Sequence, residues 1–193
     1  MSLPSPAFTI RPARPEDVPA VVAMVHELAD YERAPEQCHL TGEQLRAALF
    51  GPSPALFGHV AADSSGEPVG FALWFLNFST WAGGHGIYLE DLYVRPALRG
   101  SGAGRALMAA LAAVCVERGY QRLDWSMLDW NPAARFYAAI GATQLQEWVS
   151  YRLAGPALDA LAAELTGPPA AGATLTARPE PGTGRVPDRG DAA

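Results

Sequence analysis

Apolar side chains recur along this chain in two periods. Val18, Val21, Val22, Val25 and Leu28 follow at three- and four-residue steps, the period of one helix face. Pro15, Glu16 and Asp17 stand just before them, and a proline with two acids is a helix-start composition. Thr41-Gly42-Glu43-Gln44 has the form of a capping box and predicts a second helix through Phe50, stopped by Gly51-Pro52-Ser53-Pro54. A third helix is expected over 103–118, with Gly119 as its left-handed cap. Shorter helices are expected up to Ile140 and over 156–165. Strand-like stretches occur at 8–11, 59–62, 69–77, 87–94, 123–128 and 148–153. Asp63-Ser64-Ser65-Gly66 and Gly83-Gly84 supply the turns between three of them.

From Gly167 onward Gly, Pro, Ala and Thr dominate, with almost no bulky apolar residue. Such a segment buries too little surface to offset its chain entropy, so 167–193 is expected to be a disordered tail. Residues 1–6 read as a flexible Ser/Pro leader, leaving one domain at 7–166. The 193 residues suit a single domain with a substantial core. The net charge of −6 argues against nucleic acid as a partner and suits a cationic substrate. No run is long and apolar enough to span a membrane, and no signal-peptide pattern opens the chain. Two cysteines, Cys38 and Cys115, make no disulfide framework, which fits a cytoplasmic location. His26, His39, His59 and His85 show no metal-ligand spacing, so no metal is expected.

Candidate chemistry concentrates at Arg99-Gly100-Ser101-Gly102-Ala103-Gly104-Arg105, between a strand and a helix. A helix N-terminus presents unpaired N–H groups to an anion, and glycines let the backbone approach it. Arg99 adds a full charge, so a phosphorylated ligand is expected here. A mononucleotide loop is excluded, because the chain contains no lysine to complete it. A dinucleotide fingerprint fits badly, since Arg105 occupies the position of its third glycine. Asp124, placed like a ribose-binding acid, keeps that alternative in view.

Arg99, Gly102 and Gly104 form an Arg-x-x-Gly-x-Gly pattern that resembles the pyrophosphate loop of the GNAT N-acetyltransferase superfamily. Phe8-Thr9-Ile10-Arg11-Pro12-Ala13, Val69-Gly70-Phe71-Ala72, and Asn131 with Phe136-Tyr137 and Ile140-Gly141-Ala142 extend the resemblance over about residues 7–155. Glu27-Leu28-Ala29-Asp30-Tyr31-Glu32, Tyr88-Leu89-Glu90-Asp91, Ser79-Thr80-Trp81 and Leu128-Asp129-Trp130-Asn131 narrow it to the diamine acetyltransferases. The last two are closer to the thialysine N-epsilon-acetyltransferase branch, since the spermidine/spermine branch has an Asp where this chain has Ser79. The resemblance implies an α/β fold: a central mixed, mostly antiparallel twisted sheet flanked by helices. An acetyl-CoA cleft would lie between its two central strands.

Acetyl transfer needs a neutral amine, a polarised thioester carbonyl, a proton for the departing thiolate and attack geometry. A primary ammonium has a pKa of about 10.4, so a base must take its proton near neutrality. Glu90, on a strand beside the glycine loop, is the candidate base, acting through water. Tyr137 is the candidate acid. The resemblance implies backbone contacts from Leu92, Tyr93 and Val94 to the coenzyme arm. It implies a further coenzyme contact from Asn131, although the segment 131–135 is one residue shorter than the family spacing. Tyr31, Glu32, Glu90, Asp91, Asp124, Trp125 and Ser126 match positions that line the amine pocket. Together they would form an acidic and aromatic cage for a cation. A homodimer, paired through strand 148–153, is also implied. The expected activity is acetyl-CoA-dependent N-acetylation of a small primary amine such as thialysine. A polyamine acetyltransferase is the alternative, and from another class a non-catalytic acyl-CoA sensor, because fold does not fix function.

Overall fold

The structure, a computed structural model, describes residues 8–165. The leader, 1–6, and the whole tail, 167–193, lie outside that range. The chain divides into two compact units at Thr143/Gln144.

The first unit holds five strands: β1 (Thr9–Pro12), β2 (Phe57–Ala62), β3 (Pro68–Ser79), β4 (Gly84–Val94) and β5 (Leu123–Asp124). They lie in the order β1-β2-β3-β4-β5 in one open sheet. The first four run antiparallel to their neighbours, and β5 runs parallel to β4. The helices are α1 (Val18–Tyr31), α2 (Gly42–Phe50), α3 (Ala103–Arg118) and α4 (Ala134–Ala139). A single helical turn, Pro15–Asp17, leads into α1. The Asp17 carboxylate explains the junction. It accepts two bonds from the Arg11 guanidinium, at 2.7 and 2.8 Å, and a third from the Arg14 backbone N–H at 2.7 Å. These partners hold a buried carboxylate below its usual pKa against the opposing effect of burial.

Alternation along the strands builds two cores. Val60, Phe71, Leu73 and Tyr93 face one way and pack with Val18, Val21 and Met24 of α1 and Leu45 and Leu49 of α2. Ala61, Ala72, Trp74, Ile87 and Leu89 face the other way, against Leu107, Met108, Leu111 and Cys115 of α3. The capping box at α2 forms as expected: Thr41 Oγ1 accepts from the Gln44 N–H, and the Gln44 side chain accepts from the Thr41 N–H. Helix α3 has the bounds that the sequence predicts, and Gly119 closes it at φ 69°.

Two strand expectations are corrected. β5 ends at Asp124, not at residue 128. In the second unit, 148–153 forms no strand, and α5 (Pro156–Ala163) follows it. Apolar and aromatic residues there favour a pleated, half-buried surface, but a strand exists only with a ladder partner, and these residues have none. No helix among the described residues is long and apolar enough to cross a membrane.

Candidate active site

The shortness of β5 makes the site. It pairs with β4 only at Ile87 and Tyr88, so β4 from Leu89 onward is unpaired on that side. A cleft of about 590 Å³ opens here. Its walls are Leu92, Tyr93 and Val94 of β4, Leu28 and Tyr31 of α1, and Phe136, Tyr137, Ala139 and Ile140 of the α4 segment. Arg99, Gly100, Gly102, Gly104 and Arg105 close one end, and Asn131, Pro132 and Ala133 complete the lining.

The loop has the backbone that an anion site requires. Gly100 and Gly102 adopt φ of 80° and 93°, and no atom lies within 4 Å of where a Cβ would stand on either. The N–H groups of the first α3 turn lack partners within the helix. Arg99 is oriented twice: its Nε donates to the Val94 carbonyl at 3.1 Å, and its guanidinium lies 4.9 Å from the Tyr31 ring centre and 5.5 Å from that of Tyr93. Ser101 and Ala103 serve the loop itself. Ser101 Oγ donates to the Leu98 carbonyl at 2.7 Å, and Ala103 is buried in the core. Asn131 Oδ1 accepts from the Ala133 N–H at 3.0 Å, which caps the turn before α4.

Tyr137 lines the cleft, and its ring packs on Trp125 at 4.7 Å and Phe136 at 5.1 Å. Burial pushes the phenol pKa up, so the group stays protonated. Trp125 therefore buttresses Tyr137. Asp124 is committed elsewhere: it accepts from Arg122 Nε at 2.8 Å and Asn77 Nδ2 at 3.1 Å. Ser126 exchanges a hydrogen bond with the Tyr88 hydroxyl at 3.0 Å. None of these three lines the cleft.

The acidic residues Glu32, Glu90 and Asp91 are brought together by a β-bulge. Asp91 pairs with Leu73 and Leu89 with Trp74, which leaves Glu90 without a partner on β3. The extra residue reverses the alternation. Ile87 and Leu89 face α3, and beyond the bulge Leu92 and Val94 take over that side. Asp91 and Tyr93 thereby turn to the α1 side, where Glu32 follows the helix end. Burial, with the charges of Glu90 and Glu32, pushes the Asp91 carboxyl up to about 6. Burial also raises Glu32. The sequence carried a signal for the bulge: apolar residues fall at 87 and 89, then at 92 and 94, one residue out of step.

Parted strands, a glycine loop at a helix N-terminus and a half-buried phenol make a cleft whose geometry suits a long phosphorylated ligand. Comparison with known proteins agrees. The acetyltransferase (GNAT) family profile matches residues 21–142. A thialysine N-epsilon-acetyltransferase of Bos taurus is 38% identical over 164 residues, covering 79% of this chain and 96% of the relative. An L-ornithine N5-acetyltransferase of Arabidopsis thaliana is 29% identical, covering 79% of this chain and 86% of its own. Among solved structures, an integron cassette protein from the mobile metagenome of V. cholerae superposes with a TM-score of 0.68 at 28% identity. That match covers 81% of this chain and 98% of the other. The chain belongs to the acetyltransferase (GNAT) family and is an N-acetyltransferase.

Acetyl-CoA is the co-substrate of the family, and the residues present fit it. The left-handed glycines, the first α3 turn and Arg99 suit the pyrophosphate, and the unpaired edge of β4 offers peptide groups to an amide-containing arm. No cluster of metal-ligating side chains occurs among the described residues. Gly102→Val would put a β-branched residue at φ 93° beside the anion. Arg99→Ala would remove one charged contact. Each is expected to weaken acetyl-CoA binding by about tenfold or more in calorimetry. An unchanged Kd in folded variants would contradict the loop assignment.

Proposed function

We propose that this acetyltransferase acts on the terminal primary amine of a small lysine-like amino acid, with thialysine the leading substrate. The observation that carries this reading is the cluster of Glu32, Glu90 and Asp91 beside the cleft, a site for one ammonium group. Ser79 supports the choice against polyamines: where a second acid would hold a distal cation, its hydroxyl accepts from the Ala82 N–H at 3.1 Å and serves the β3–β4 turn. The names of the bovine and plant relatives point to the same amine class.

In this reading Glu90 and Asp91 hold the ammonium and take its proton, leaving a neutral nitrogen to attack. Bound acetyl-CoA supplies the acetyl thioester. Leu92, Tyr93 and Val94 would fix the coenzyme arm through their backbone, Tyr137 would give its phenolic proton to the departing sulfur, and the second proton shed by the nitrogen as the amide forms would restore the phenol. We further infer a homodimer in a cytoplasmic setting. The exposed side chains of Trp148, Val149 and Tyr151 support the first, without the strand pairing the sequence predicts, and two free cysteines support the second. Steady-state kinetics with saturating acetyl-CoA test the substrate ranking. The expected kcat/KM is higher for thialysine or lysine than for spermidine, and a value for spermidine far above both would reverse it.

A further inference from the structure

Helix α1 ends in a motif that ordinarily requires glycine. The Arg33 N–H donates to the Asp30 carbonyl at 3.1 Å and the Ala34 N–H to the Ala29 carbonyl at 3.0 Å, a Schellman closure. Arg33 occupies its left-handed position at φ 62°, the one non-glycine residue with positive φ among those described. An arginine is disfavoured there relative to glycine. The conformation carries the guanidinium to 5.1 Å from the centre of the Trp130 ring. Trp130 in turn lies 6.0 Å from Tyr31, which lines the cleft. Exposed cation–π pairs are weak, so stability alone does not account for arginine at this position. Strain of this kind belongs with function.

The Arg33 guanidinium lies on Trp130. Among the described residues it holds no carboxylate, whereas Arg11, Arg95 and Arg122 each hold one. Its chain neighbour is Glu32, a member of the acidic cluster. Arg33 is thus tied to the site from two directions: Glu32 precedes it in the chain, and the Trp130 ring under its guanidinium packs on Tyr31 of the cleft wall. Guanidinium binds carboxylate through two parallel hydrogen bonds and repels ammonium.

We propose that Arg33, laid on Trp130, binds the carboxylate of an amino-acid acceptor and selects against diamines that lack one. This rests on the amine substrate reading above and adds the group that recognises the far end of the substrate. Discrimination then has an attractive and a repulsive component.

The test compares thialysine with the diamine formed by its decarboxylation, which differs only in the carboxylate. Arg33→Gly is the variant of choice, because glycine suits the backbone and keeps the fold. The expected result is a melting temperature at or above that of the parent. The KM for thialysine should rise about ten- to a hundredfold with kcat little changed. The ratio of kcat/KM for thialysine over the diamine should fall by the same factor, with partial recovery in Arg33→Lys. An unchanged ratio, including an equal loss on both substrates, overturns the proposal while leaving the substrate reading intact. A parent enzyme that acetylates neither compound overturns both.

Discussion

Tyr137→Phe should lower kcat by about 10² to 10⁴-fold while leaving acetyl-CoA affinity within about threefold of the parent. The ring is held by Trp125 and Phe136, so phenylalanine keeps the packing and the cleft wall and loses only the hydroxyl. A phenol is a weaker acid than a thiol, so proton transfer to a free thiolate would be unfavourable by about one pKa unit or more. A hydrogen bond from the phenol to the sulfur of bound acetyl-CoA would make the transfer productive as the carbon–sulfur bond breaks. Burial raises the phenol further, which keeps the proton available across the working pH range. Rapid-quench or steady-state turnover, paired with calorimetric binding, checks the split. A variant that turns over at the parent rate would assign the proton to water or to another group.

The second large effect concerns Asp91. With its carboxyl at about 6, kcat/KM should fall on an acidic limb with a midpoint near that value as the carboxylate is protonated. Glu90→Gln removes one of the negative charges that raise Asp91, so the limb should move to lower pH. Asp91→Asn should remove the limb and much of the activity. The shift is also a stability term. A carboxyl raised from an unfolded value of 3.8 destabilises the folded state as pH climbs from about 4 to about 6, and the penalty is complete above that. Its upper bound is about 3 kcal/mol. Asp91→Asn should therefore raise the melting temperature at pH 8, with the gain fading toward pH 4. An inactive variant with no gain in stability at pH 8 would show that Asp91 is not held at an energetic cost.

Local chemistry was legible in the sequence, and pairing was not. Thr41 with Gln44, Gly119, and the span of α3 follow from neighbours within a few residues, and all three were readable. The glycine loop was readable for the same reason, since its demand on the backbone is local. Strand ends depend on partners far along the chain. β5 stops after two residues because the sheet parts there, and nothing in Trp125-Ser126-Met127-Leu128 announces it. The commitment of Asp124 to Arg122 and Asn77 likewise needs three segments in place. Arg33 was hidden for another reason: a Schellman position is recognised by its glycine, and here the glycine is absent. The bulge at Glu90 lies between these cases, written in the slip from 87 and 89 to 92 and 94 but given meaning only by Leu73 and Trp74 opposite.

Acetyl transfer from the coenzyme to a small amine is the activity of this chain's family. Its most direct test is amine-dependent release of free thiol from acetyl-CoA by the full chain, with mass spectrometric detection of the acetylated product. One thiol is expected to be released per N-acetylated thialysine, both abolished by omission of the amine. Tight binding of acetyl-CoA with no thiol released on any amine of a panel spanning lysine-like amino acids, diamines, polyamines and aminoglycosides would contradict it, and would describe an acyl-CoA sensor instead.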